Sequence, residues 1–394
     1  EEQMKKIGKV KRLFTALVAC IMIFGMVGVT GCNSSSSSKN DGKTITIWAT
    51  GSDNVRQIYE KLVEDFNENS EYAGQYTAKL QFMLSGTGTQ SLSDMLASAY
   101  KAKQKDTDYD LVDLSGDDLS KVISQIGEDA FVKLDDSKIP NAEGVSAEST
   151  IATDYVQPYR GTTVVLAYDS EKVTNPPKTW DELTQWIKDN PGRFAYNAPG
   201  TGGAGDSFAR TAVYNYLPDE AMTSDDTKWE DQWDEGFDYL KELNEDMYTS
   251  GGSIVYPNKN QGTLDLLNQG EIDMCPNWAD MVLSQKAEGT LKDTIKITQI
   301  EPALTGSLQS LAIPKFGSNE KGAYAFIDYM LSDEAQEIMV QDMAAIPLVN
   351  TDNINMKGFE EIKNLDVSKF RIMSIGDLST DFNQRWDSEI GASK

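Results

Sequence analysis

The 394-residue chain contains no histidine. That absence excludes a Ser-His-Asp triad, a Cys-His pair and any His-ligated zinc. Cysteine is scarce as well, with only Cys20, Cys32 and Cys275. The first two fall in a distinctive N-terminal stretch, so the body keeps one thiol and cannot close an internal disulfide. With no histidine to activate it, Cys275 is expected to be a buried, inert thiol. Positive charge is also short: 36 Lys and Arg face 62 Asp and Glu, a net charge of −26. Such a body repels phosphate backbones and anionic membrane faces, which argues against nucleic acid as a partner. Carboxylate chemistry survives these exclusions. A secreted glycoside hydrolase with paired acids stays open as an alternative, although pairs arise by chance among so many carboxylates.

What the chain does have begins at its N-terminus. Lys5, Lys6, Lys9, Lys11 and Arg12 form a basic cluster, and 13–29 is almost free of polar residues. A basic stretch, an apolar stretch and a small-residue exit read as an export signal over 1–31. Val29-Thr30-Gly31-Cys32 resembles the lipobox of bacterial lipoproteins, with Val29 where Leu is commoner. The resemblance implies lipid on Cys32 and a body held at the outer face of the cell membrane. An uncleaved anchor would also put the body outside, because the positive end stays in the cytoplasm. Residues 1–31 carry five positive and two negative charges, so their removal takes the net charge to −29. Residues 32–43 are a serine-rich tether with nothing to bury.

The remaining length exceeds one ordinary domain, and 13 Phe, 16 Tyr and 7 Trp can fill two cores. Strand character over 44–50, a one-faced helix capped by Asp53 or Asn54, a strand over 78–84, a helix over 91–103 and a strand over 110–114 predict a parallel sheet. Ligands in such sheets sit beyond the carboxyl ends of the strands. Ser52 and Asp53, Ser85, and Ser115 therefore share one expected rim. A strand is expected over 162–168. Thr179 with Glu182 predicts a capping box. Further expectations are a long helix over 228–248, a short one over 264–267, a strand over 271–275, an extended crossing near 300–311, helices over 321–331 and 333–343, and a C-terminal helix burying Phe382, Trp386 and Ile390.

Gly200-Thr201-Gly202-Gly203-Ala204-Gly205 spells a G-x-G-x-x-G pattern between an expected strand and an expected helix from Asp206. Pro199 and the distance from the strand argue against a dinucleotide, so no cofactor is expected. The better reading is free backbone N–H groups at a helix start, with Gly203 and Asp206 turned to a cleft. Asp106, Asp108 and Asp110 mimic a calcium loop, but Leu111 replaces the required glycine, so no metal is expected and these acids are read as solvated.

Gly270-Glu271-Ile272-Asp273-Met274 before Pro276-Asn277-Trp278, the pair of segments 321–336, and 162–169 are similar to motifs of bacterial ABC-transporter solute-binding proteins of the extracellular family 1 type. The likeness runs from Thr44 to Lys394. It implies an α/β, two-lobed, periplasmic-binding-protein-like type II fold. Each lobe would be a mainly parallel sheet flanked by helices, the two joined by a hinge. The first lobe would be 44–158 plus 303–345, the second 160–301 plus 347–394. It also implies a non-catalytic monomer that closes on a small solute and docks on permease transmembrane subunits. Trp278, Trp48 and Tyr159 are aromatic candidates for stacking on a sugar or cation, and Arg160 could grip a carboxylate or phosphate. A carbohydrate is favoured. A polyamine or other organic cation, with Asp53, Asp113 and Asp206 as counter-charges, or a vitamin, is the alternative.

Overall fold

The computed structural model describes residues 41–84, 90–147, 149 and 151–392. The expected signal, Cys20, Cys32, most of the serine tether and the segment from Ser85 to Thr87 lie outside the described residues.

The first five elements follow the sequence periodicity closely. Strand β1 (Thr44–Gly51) buries Ile45, Ile47 and Ala49 on alternate positions. Helix α1 (Asp53–Glu68) buries Ile58, Tyr59, Leu62 and Phe66 along one stripe. Each such side chain contributes about 1.5–3 kcal/mol of hydrophobic stabilisation. Ser52, not Asp53 or Asn54, takes the extended backbone of the cap residue. Asp53 sits in the first turn, where the helix dipole favours an acid, and pairs with Arg56 at 2.7 Å. Strand β2 (Thr77–Leu84), helix α2 (Leu92–Lys101) and strand β3 (Leu111–Leu114) complete the run. Strand β1 pairs in parallel with both β2 and β3.

Helix α3 (Gly116–Ile126) follows β3 directly and was not anticipated. Strand β4 (Val156–Asp169) is twice as long as expected, so Tyr159, Arg160 and Gly161 lie inside it. Helix α4 (Trp180–Asp189) starts at the expected cap: Thr179 Oγ1 accepts from Glu182 N. Glu182 reaches back to Lys178 N, one residue earlier than the usual box. Helix α5 (Gly203–Tyr214) starts three residues before Asp206, so Gly203 and Gly205 belong to its first turn. A Cβ on Gly205 would lie 1.8 Å from Asn197 O, so this glycine serves close packing on the preceding segment.

The long helix over 228–248 is instead broken. Asp226 caps a separate 3₁₀ turn over Thr227–Gln232, helix α6 spans Asp234–Leu243, and a second 3₁₀ turn spans Asn244–Asp246. Trp233, Phe237, Leu240 and Leu243 are buried as expected. A short hairpin, β5 (Thr249–Ser250) with β6 (Ser253–Ile254), precedes helix α7 (Lys259–Gln269). Strand β7 (Met274–Trp278) begins three residues later than the sequence pattern suggests. Arg193 explains the shift: it donates to Gly270 O, Glu271 O and the Asp273 carboxylate, holding that stretch outside the ladder. Helix α8 (Ala279–Ala287), strand β8 (Ile295–Thr298), strand β9 (Gly306–Ala312), helices α9 (Glu320–Met330) and α10 (Asp333–Met343), strand β10 (Ile346–Pro347) and helix α11 (Leu378–Trp386) complete the chain. Phe382, Trp386 and Ile390 are all buried.

Strand β4 is the axis of the fold. Its first part, from Val156 to Thr163, pairs antiparallel with β9, which pairs with β3. Its second part, from Val164 to Asp169, lies antiparallel between β7 and β8. The strands on each side run mainly parallel to one another and carry helices on their faces, so the fold is the expected α/β type. Apolar clusters form on both sides: Ile47, Phe66 and Phe326 pack on one, and Phe208, Trp233 and Trp386 on the other. Cys275 is buried on the second side, and burial pushes its thiol up to about 12.

Candidate functional site

A cavity of about 660 Å³ opens where β3 hands over to α3, β7 to α8, and β9 begins. Helical spacing explains much of its wall. On α3, Gly116, Ser120 and Ser124 recur every fourth residue and line it. On α5, Gly203, Asp206, Ser207 and Arg210 form one face at i, i+3, i+4 and i+7 and line it as well. Thr305, Gly306 and Ser307 at the start of β9 add backbone and hydroxyls, and the segment from Ile372 to Gly376 with Ser379 closes a further side.

Each polar group in that wall has a structural reason for its position. Ser115 caps α3, accepting from Asp118 N and donating to its carboxylate at 3.0 Å. Ser207, almost wholly buried, accepts from Thr305 N at 2.8 Å, which ties β9 to α5. Asp206 accepts from Gly200 N at 2.6 Å and lies 3.5 Å from Arg210. Trp278 is fixed by Asn277, whose Oδ1 accepts Trp278 N and whose Nδ2 donates to Asn260 O and Thr263 Oγ1. Asn260 in turn accepts from Ala204 N. A Cβ on Gly203 would lie 2.8 Å from the Trp278 ring, so glycine there lets the helix start approach the indole.

Of the residues singled out from sequence, Ser115, Gly203, Asp206 and Trp278 meet at this cavity. Trp48, Ser52, Asp53, Tyr159 and Arg160 lie outside its lining. Trp48 donates its indole N–H to Asp108 O and packs on Tyr109 with ring centres 5.0 Å apart. Ser52 and Asp53 are exposed at the start of α1. Ser85 falls outside the described residues. Arg210, Ser207 and the 372–379 wall were not foreseen. The polar i, i+3, i+4, i+7 stripe following the glycine run could have revealed Ser207 and Arg210. The irregular 372–376 segment offers no comparable signal.

Tyr159 and Arg160 belong to a buried cluster on β4. Tyr59 and Tyr159 donate to Asp113 Oδ2 at 2.7 and 2.8 Å, and Arg160 Nε donates to Tyr159 Oη at 3.3 Å. Burial raises the Asp113 carboxyl above its ordinary range, although the Arg160 charge opposes the shift. Burial raises Asp280 as well, again against Arg160. Desolvation works against the Arg160 charge, but Tyr159 and Asp113 keep its pKa above the ordinary value. Asp110 also departs from expectation: it is buried, not solvated, and accepts from Thr46 N, Ser318 N, Ser318 Oγ and Asn319 N. Among the described residues no group of His, Cys, Asp and Glu could hold a metal, and no helix is long and apolar enough to cross a membrane.

Residues 87–363 match the family of bacterial extracellular solute-binding proteins. The chain belongs to that family. No curated protein matches the chain. Solved structures of the same fold include a spermidine/putrescine ABC-transporter substrate-binding protein from Streptococcus pneumoniae, 16% identical, covering 88% of this chain and 99% of its own with a TM-score of 0.62. A ferric binding protein from Bordetella is 11% identical over 89% of this chain and 100% of its own, with a TM-score of 0.63. A GABA receptor is 17% identical over 87% and 96%, with a TM-score of 0.56. This solute-binding protein therefore has the α/β fold expected from its sequence motifs, a mainly parallel sheet flanked by helices, as its structural neighbours do.

Proposed function

We propose that this solute-binding protein captures one small organic molecule in the 660 Å³ cavity and passes it to the permease subunits of an ABC importer. The observation that carries the reading is the lining itself. It draws α3 and β9 from one side of the sheet and α5, β7 and the 372–379 segment from the other. A ligand touching both sides favours whichever arrangement brings them together, so binding and closure form one equilibrium. The closing bodies would be 44–158 with 303–345, and 160–301 with 347–394. Lipid on Cys32 would hold the monomer at the outer face of the membrane, because the acidic body has no attraction of its own for an anionic surface.

The role is non-catalytic. Of the two carboxylates in the lining, Asp206 is engaged by Gly200 N and Arg210, and Asp225 is exposed. A carbohydrate is supported by the indole face of Trp278 and the surrounding serine and threonine hydroxyls. An organic cation is the alternative, with Asp206 and Asp225 as its counter-charges.

A thermal-shift screen of sugars, polyamines and vitamins tests the reading. A true solute at 100 times its Kd should stabilise the protein by about 2.7 kcal/mol. Trp278→Ala should abolish that shift while leaving the unliganded protein folded. Turnover of a candidate sugar, or full affinity in the Trp278→Ala variant, would count against it.

A further inference from the structure

This inference rests on the solute-capture reading and concerns the charge of the solute. Arg210 lines the cavity with its side chain only 16% exposed. Its Nε is buried and has no hydrogen-bond partner among the described residues. Its other contacts are loose: Asp206 Oδ1 at 3.5 Å and Asn383 Oδ1 at 3.2 Å. Charge-assisted bonds to a guanidinium ordinarily close to about 2.7–2.9 Å. A buried guanidinium held this loosely is left with unspent donors, and desolvated donors without acceptors are costly.

The surroundings of Arg210 agree with it. Gly203 and Gly116, at the N-terminal ends of the 12-residue α5 and the 11-residue α3, line the same cavity. Both backbone N–H groups lack an acceptor among the described residues, and both carry the positive end of a helix dipole. The α5 cap residue is Gly202, which has no side chain, and Asn260 Oδ1 accepts from Ala204 N, so Gly203 N is the N–H left over at that end. The remaining cation, Lys121, is committed to Asp94 at 2.8 Å and Ser91 at 3.1 Å. A cationic solute would meet the guanidinium and two helix ends and would have to compete with Arg210 and Gly200 N for Asp206. The geometry points to a solute bearing a compact oxyanion, a carboxylate, phosphonate or phosphate ester, seated against Arg210 and the N–H groups of Gly203 and Gly116.

Isothermal titration of the detergent-purified full-length chain separates the possibilities. The panel pairs 4-aminobutyrate, 2-aminoethylphosphonate and glycerol 3-phosphate with butylamine, ethanolamine and glycerol, and adds glucose and putrescine. The expected result is one-to-one binding of an oxyanion-bearing member, with its uncharged or cationic counterpart at least about tenfold weaker. The tightest member identifies the kind of oxyanion. Arg210→Gln should weaken that binding by about tenfold to a hundredfold. Arg210→Lys should restore part of it, with both variants melting as the parent does. One-to-one binding of glucose or putrescine that is indifferent to Arg210→Gln overturns the oxyanion while leaving solute capture intact. Silence from every compound also overturns the oxyanion assignment, and solute capture is then decided by the thermal-shift screen.

Discussion

An aspartate is buried just before β3 and another near its far end, and the two are solved in opposite ways. Asp110, the residue before the strand, accepts four hydrogen bonds from Thr46, Ser318 and Asn319 through both oxygens. It bolts β1 to the loop that leads into α9. Asp113, near the other end, spends one oxygen on Tyr59 and Tyr159. Its Oδ1 is buried with no partner among the described residues. Two residues further on, Ser115 enters the cavity wall. A buried acid with partners on both oxygens ties the scaffold together, whereas one with an unpartnered buried oxygen keeps part of its desolvation cost. The contrast teaches that two aspartates buried three residues apart can be satisfied to very different degrees, and that the count of their partners, not their burial, tells them apart.

The largest expected effect is on the scaffold end. Asp110→Ala removes the acceptor from the buried N–H groups of Thr46 and Asn319 and should cost about 3 kcal/mol in urea unfolding. A cost no greater than that of changing Asp113 would break the comparison. The next effect depends on pH. Because the folded Asp113 pKa lies above its unfolded value, its stabilising contribution is present at low pH. It is lost as pH rises from about 4 upward, by as much as about 1.4 kcal/mol per pH unit. Asp113→Asn keeps an acceptor for the tyrosines but cannot ionise. It should therefore gain stability relative to the parent as pH rises above about 4, and a difference that does not grow with pH would contradict the assignment. The smallest effect is expected for Tyr59→Phe, about 1 kcal/mol, since Tyr159 still donates to Asp113. Unfolding of both proteins under matched conditions provides the check.

Much of the framework was legible in the residues. Alternation in β1, the Ile58–Phe66 stripe of α1 and the Thr179 cap are local signals, and each formed within a residue or two of its expected place. The site was half legible. Ser115, Gly203, Asp206 and Trp278 sit at strand ends or helix starts, where topology alone directs a side chain to a cleft. Trp48 and Tyr159 show the limit: an aromatic residue near a strand end packs as readily on Tyr109 or Asp113 as on a solute.

By itself, then, the amino-acid order determined the βαβ run, the helix caps and the polar face of α5, because these depend on neighbours three or four residues away. Only the tertiary structure decided the Asp113 cluster and the wall from Ile372 to Gly376. That wall is irregular chain without periodicity. Partners far off in sequence hold it: Gly306 N donates to Arg371 O, Ser374 N donates to Met222 O, and Arg371 donates to Asn215 and Ala303. Contacts between residues 65 or more positions apart leave no local pattern to read, so they come into being only when the chain is folded.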